Sequence, residues 1–190
     1  MDVGAGSLSQ VNVPEKVQPA KQNRLVLFFR RQLDSFSASK AARMAEKSIS
    51  RGELQQAIDF YCKAIALESS SELYYLRGLL KHKMKKYKEA ISDFDEAINA
   101  GKDDCDVHYA KARAHVFLHN YETALTEELR AYNNGKNGKV TSLAIAKLYE
   151  ICGNECLRRG NGSAATAEEY FIEAKKWRDN ADKNGGGNGE

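Results

Sequence analysis

The sequence predicts an all-α fold in which antiparallel helix hairpins stack into a solenoid, and three observations predict it. The only two prolines among 190 residues, Pro14 and Pro19, lie within the first twenty. At ordinary usage the remainder would hold roughly eight, so the residue that most often punctuates loops and sheet edges is missing from the body of the chain. A pattern of small and large apolar residues recurs at intervals of 33 and 34 residues, set by Ala57, Ala90 and Ala124. Within each copy those residues fall at steps of three and four, which place them on one face of a helix. With 42% hydrophobic and 29% charged residues the chain can bury a core, which excludes disorder throughout.

Taken in order, residues 1–20 are rich in Gly, Ser, Val, Gln and Pro without helical periodicity and read as a disordered tail. Residues 21–37 read as an amphipathic helix. Leu25, Phe28, Phe29, Leu33 and Phe36 lie close to one face, with Arg24, Arg30, Arg31 and Asp34 largely elsewhere. This helix either caps the exposed face of the first repeat or docks on a partner groove or a membrane surface.

Residues 38–138 hold three repeats. The first has Ala57, Tyr61 and Ala64, and the second has Ala90, Phe94 and Ala97. The third keeps Ala124 and Ala131 but places Glu128 at the large position, where the neighbouring Leu129 is expected to take over the contact. A small residue stands twelve positions before each leading alanine (Ala45, Gly78, Ala112), and an apolar one three before it (Leu54, Tyr87, Tyr121). Two helices that cross closely at the small residues, with large ones filling the groove beside them, account for all of these positions.

Residues 139–183 read as a fourth, atypical hairpin suited to capping. Ala167, Phe171 and Ala174 repeat the triplet nine residues late. Ile145, Leu148, Tyr149 and Cys152 line a preceding helix with Ala146 at its small position, and Arg159-Gly160-Asn161-Gly162 breaks the chain. Residues 184–190 offer nothing apolar to pack and read as a second disordered tail.

The repeated positions resemble the tetratricopeptide repeat, a helix-turn-helix unit of 34 residues. The middle unit fits best, with Tyr74, Gly78, Tyr87, Ala90, Phe94 and Ala97. Two departures stand out. Ser69, Lys102 and Lys136 replace the proline that usually closes each unit, and Ala41 replaces a large opening residue. The resemblance implies a right-handed solenoid whose concave groove is lined by the first helix of each pair. Carried over position by position, the groove residues are Glu46 and Ile49 in the first unit, Tyr75, Leu79, His82 and Lys83 in the second, and Tyr109, Arg113, Val116 and Phe117 in the third. It further implies a protein or peptide partner. In one subclass, co-chaperones clamp acidic chaperone tails with basic and amide side chains. The matching positions here are Ala42, Glu46, Leu76, Asp106 and Ala110. Two are carboxylates and three carry no donor side chain, which argues against a chaperone-tail partner.

The remaining chemistry is sparse. His115 and His119 stand four apart, as do Cys152 and Cys156, but neither pair has a third ligand nearby in sequence, so no metal site is assigned. The cysteines read as reduced thiols rather than a disulfide framework. No nucleophile motif or phosphate-binding glycine loop is present, and no catalytic residue or cofactor is expected. Lys81, Lys83, Lys85, Lys86 and Lys88 read as a solvated turn; without a base-stacking platform they do not nominate nucleic acid. No segment has the roughly 18 apolar residues of a spanning helix. The expected protein is a cytoplasmic adaptor or assembly factor that binds a peptide or helix in its groove; a structural subunit of a larger complex is the alternative.

Overall fold

The computed structural model describes residues 19–160 and 164–184, and among these residues there are eight α-helices and no strand. They pair as four successive hairpins: α1 (Pro19–Ser50) with α2 (Leu54–Leu67), α3 (Ser71–Lys83) with α4 (Tyr87–Asn99), α5 (Cys105–Phe117) with α6 (Tyr121–Asn133), and α7 (Lys139–Arg159) with α8 (Ala164–Asn184). The second helix of each hairpin then packs on the first helix of the next, and α3 also touches α5. Chain neighbours are therefore spatial neighbours, as in a solenoid. The two tails expected at the ends fall outside the described residues, except that Pro19 and Ala20 open α1 and Asn184 closes α8. Proline is tolerated at a helix start because its missing N–H has no partner there in any case.

The turns repeat as regularly as the helices. α1, α3 and α5 each give way to a left-handed residue, Gly52, Lys85 and His119, with φ of 77°, 62° and 60°. In each case the following N–H reaches back to the carbonyl five residues earlier: Glu53 to Ser48 (2.9 Å), Lys86 to Lys81 (2.9 Å) and Asn120 to His115 (3.0 Å). These bonds satisfy carbonyls that a helix end leaves open. Leu54, Tyr87 and Tyr121 then start the second helices.

Ala57, Ala90 and Ala124 are fully buried, as are Ala45 and Ala112 at the helix crossings. The crossing is tightest at Gly78, where a Cβ would stand 2.6 Å from Cε1 of the Phe94 ring. Only glycine lets this ring lie against the α3 backbone. In the third hairpin Glu128 itself occupies the large position. It is 2% exposed, while Leu129 is half-buried against the cluster formed with α7 and α8. Leu129 does not take over the contact, because one residue along a helix is a rotation of about 100°.

The segment 24–36 is not a separate helix. It is the first part of α1, continuous with the helix that packs on α2. Val26, Leu27, Phe28, Phe29, Leu33 and Phe36 are all exposed, so they cover no apolar face of the first repeat among the described residues. In the fourth hairpin α7 has 21 residues against 13 in α3 and α5. The eight extra residues account for most of the late return of the triplet. The glycine that meets Phe171 is Gly153, where a Cβ would lie 2.9 Å from the ring. Ala146, expected at that position, is buried about two turns earlier.

Candidate functional site

The first helices of the second and third hairpins leave a cavity of about 420 Å³ between them. Tyr75, Leu79 and His82 come from α3 at steps of four and three, and Asp106, Tyr109, Ala110 and Arg113 come from α5 in the same way. Lys136 joins them from the turn after α6. Five of the expected groove residues therefore converge here: Tyr75, Leu79, His82, Tyr109 and Arg113. The other five stand elsewhere. Ile49 packs on the core of the first two hairpins, and Val116 packs against α6 and α7 residues in the third cluster. Phe117 stacks flat on Tyr87, with ring centroids 4.7 Å apart, and fills space between hairpins. Glu46 and Lys83 are exposed.

The cavity has a repeated device that sequence reading did not single out. Lys102 lies 4.7 Å from the Tyr75 ring centroid and Lys136 lies 4.0 Å from that of Tyr109. Each ammonium is also paired with an acid in the first turn of the same helix as its tyrosine, Glu72 at 3.0 Å and Asp106 at 3.1 Å. All three members recur 34 residues apart. The lysines occupy the place usually held by proline, and their backbone N–H groups close the preceding helices, Lys102 to Ala97 (2.9 Å) and Lys136 to Ala131 (3.0 Å). Proline could not make those bonds. The departure from the family pattern thus supplies a cation–π contact to each groove tyrosine, worth about 0.5–1 kcal/mol where exposed. The signal was legible as the common 34-residue spacing of three residue types.

Burial, followed by the charge of Arg113, holds the His82 imidazole below its ordinary pKa. Its Nε2 is buried and has no partner, and the ring stands edge-on to Tyr87 and Phe117. Burial also pushes the Glu128 carboxyl up to about 7, against the opposing pull of Arg113 and Lys136, and its Oε1 has no partner. Arg113 lies 6.0 Å from the Tyr109 ring centroid. Aromatic rings and an arginine at a desolvated centre are what often anchor interfaces.

A second repeated arrangement is structural. Asp93 on α4 receives Arg77 (2.7 Å) and Lys81 (2.8 Å) from α3. Thirty-four residues on, Glu127 on α6 receives Lys111 (3.1 Å) and a ring nitrogen of His108 (2.7 Å) from α5. Burial would raise the Glu127 carboxyl, but hydrogen bonds from His108 and Lys111 hold it below its ordinary range. Lys81 is thus a buried partner of Asp93 rather than a member of the solvated lysine turn. The corresponding positions of the first repeat are the apolar Met44 and Phe60.

His119 contacts the Tyr121 hydroxyl at 2.7 Å, and His115 Nδ1 is buried without a partner. Cys152 is buried, and burial raises its thiol to about 11, which keeps it protonated and inert. Among the described residues no group of three or more His, Cys, Asp or Glu is placed to hold a metal ion.

Residues 71–102, which form the second hairpin, match the sequence model of the tetratricopeptide repeat. The chain thus carries one sequence-matched tetratricopeptide repeat, in its second hairpin, and is similar to proteins that contain this repeat. It is 38% identical to the Hsp70-Hsp90 organising protein of Plasmodium falciparum over 74 residues, 39% of this chain and 13% of that protein. It is 26% identical to the mouse Tetratricopeptide repeat protein 12 over 152 residues, 75% of this chain and 22% of that protein. The chain thus spans less than a quarter of the length of these curated relatives. Among solved structures, one of MamA shares the fold with a TM-score of 0.65 at 17% identity, covering 90% of this chain and 86% of that one. The first tetratricopeptide repeat domain of Spaghetti (RPAP3), bound to the HSP90 peptide SRMEEVD, superposes with a TM-score of 0.56 at 21% identity, covering 60% and 91%. At these identities the likeness is one of fold.

Proposed function

We propose that this tetratricopeptide-repeat protein is a protein-interaction adaptor, without catalytic activity, that holds a partner peptide or helix between α3 and α5. The carrying observation is the cavity itself. Two tyrosines, each under a lysine, flank a buried, unpartnered imidazole nitrogen and a surface arginine. Apolar side chains of a partner have Leu79 and the tyrosine rings to bury against, and a carbonyl or hydroxyl has His82 and Arg113 to meet.

One relative is named as an Hsp70-Hsp90 organiser and one similar structure holds an HSP90 peptide, yet the lining here argues for a different occupant. Asp106 and Ala110 stand in the cavity at positions where the clamp of the co-chaperone subclass would need cations. Asp106 already engages Lys136, and an acidic tail would have to displace it. A partner of mixed charge with an aromatic or aliphatic anchor fits better. A cytoplasmic setting suits the four cysteines, all of them free thiols.

Affinity capture with the full chain, repeated with Tyr75→Ala, Tyr109→Ala and Arg113→Ala, tests the reading. A partner lost or weakened roughly tenfold or more in these variants is the expected result, since hot-spot truncations exceed about 2 kcal/mol. Capture of an unchanged set by all three would show that the groove is not the binding surface.

A further inference from the structure

We propose that the outer face of α1 is a docking surface for an anionic lipid bilayer, on which the helix lies rather than inserts across. Two stripes run along this helix at steps of three and four. Asp34, Ala38, Ala41, Ala45 and Ser48 are buried or half-buried and form the side packed on the hairpin. Phe29, Leu33, Phe36, Lys40, Arg43 and Lys47 are all exposed and form a stripe on the opposite side. Ala38 lies nine residues from Phe29, which is about half a turn of rotation beyond two full turns.

The outer stripe changes character along its length. Its first three members are large and apolar, with Phe29, Leu33 and Phe36 62%, 67% and 72% exposed. Its last three are cations, and none of them forms an ion pair among the described residues. The only acids of α1, Asp34 and Glu46, are off this stripe, and Arg30 and Arg31 lie on the side of the helix that faces the end of α2. The whole stripe spans about 27 Å at 1.5 Å per residue. A bilayer surface matches this sequence of chemistries. The acyl boundary accepts the phenylalanines and leucine, and anionic headgroups meet the three cations further along the same face.

Two features separate a lipid surface from a protein partner. Val26, Leu27, Phe28 and Phe29 are consecutive and all more than half exposed, so apolar surface wraps around the helix rather than keeping to one seam. A groove or a second helix buries a seam, while the headgroup boundary solvates a broad sector. A second copy paired parallel on the same stripe would bring Lys40, Arg43 and Lys47 against their equivalents, and an antiparallel copy would bury these cations against its apolar half without a counter-charge; both arrangements are costly. No helix among the described residues is long and apolar enough to cross a membrane.

The test is co-sedimentation of the full chain with phosphatidylcholine vesicles, with and without phosphatidylserine, at low and high salt. Wild type is expected to bind only the phosphatidylserine vesicles and to be released by salt. Lys40→Glu/Arg43→Glu/Lys47→Glu should weaken binding on the order of 100-fold, at about fivefold per cation removed. Phe29→Ser/Phe36→Ser should weaken it by roughly tenfold or more. Both sets are exposed, and an unchanged far-ultraviolet dichroism spectrum and melting temperature would show the fold intact. Tyr109→Ala, in the groove, should bind vesicles as wild type does. The proposal is overturned by failure to bind either vesicle, by equal binding to both, or by charge reversal without effect. It is equally overturned if the chain self-associates in sedimentation velocity, loses that association in the phenylalanine variants, and ignores vesicles.

Discussion

Replacing Glu128 by glutamine should stabilise the protein at pH 8 and destabilise it by about 1 kcal/mol at pH 4.5. Glu128 fills a position that holds Tyr61 and Phe94 in the other repeats, is 2% exposed, and has an oxygen without a partner. Its burial raises the folded-state value from 4.5 to about 7. Below pH 4.5 the carboxyl is protonated folded and unfolded, so it has no pH-linked cost. Between 4.5 and 7 the unfolded chain releases the proton while the folded chain retains it, and stability falls as pH rises. Above 7 the full penalty is present, about 3 kcal/mol for a shift of this size. The neutral amide of Glu128→Gln escapes that penalty but brings an NH₂ that also lacks a partner, at a cost of about 1 kcal/mol. The net gain at pH 8 is then about 2 kcal/mol, or roughly 4–8 °C in melting temperature for a chain of this size. Urea denaturation followed by circular dichroism, variant minus wild type at each pH, isolates this group from carboxylates such as Glu127 and Asp104 that titrate in the opposite sense. A loss of stability at pH 8, or an equal change at both pH values, would refute the reasoning. It would mean that the carboxylate is ionised and held by Arg113 or Lys136.

Two further substitutions test the hairpin packing. Gly78→Ala should lower stability by about 1 kcal/mol in a thermal melt, because the new Cβ meets the buried Phe94 ring at 2.6 Å and overpacking of about 2 kcal/mol outweighs a helix-propensity gain of about 1; adding Phe94→Leu should relieve the clash and expose a cavity penalty instead. Asp93→Asn should cost about 3 kcal/mol in urea denaturation, since it leaves Arg77 and Lys81 largely buried without their carboxylate; a neutral result would show that both side chains reach water on their own.

Much of the repeat geometry was legible because it depends on side-chain size at fixed steps. Ala57, Ala90 and Ala124 must be small wherever two helices cross, and Leu54, Tyr87 and Tyr121 start the returning helices. The cavity was half legible. Tyr75, Leu79, His82, Tyr109 and Arg113 share helix faces that periodicity identifies, and they meet in one place. Ile49 and Val116 share nearly the same faces but pack into hydrophobic clusters, and Phe117 stacks on Tyr87 of the preceding hairpin while staying half exposed. Periodicity gives the direction of a side chain about its own helix and is silent on which helix stands opposite.

The sequence by itself determined the hairpin period, the small and large framework residues, and the apolar residues that share a helix face between 24 and 36. These follow from helical steps and side-chain volume, which are local. Only the tertiary structure decided that Glu128 rather than Leu129 enters the core, that Lys102 and Lys136 swing onto the groove tyrosines, and that residues 24–36 extend the first repeat's helix without covering it. Each of these depends on distances between segments remote along the chain, where burial sets the cost of a charge and proximity sets the strength of a contact.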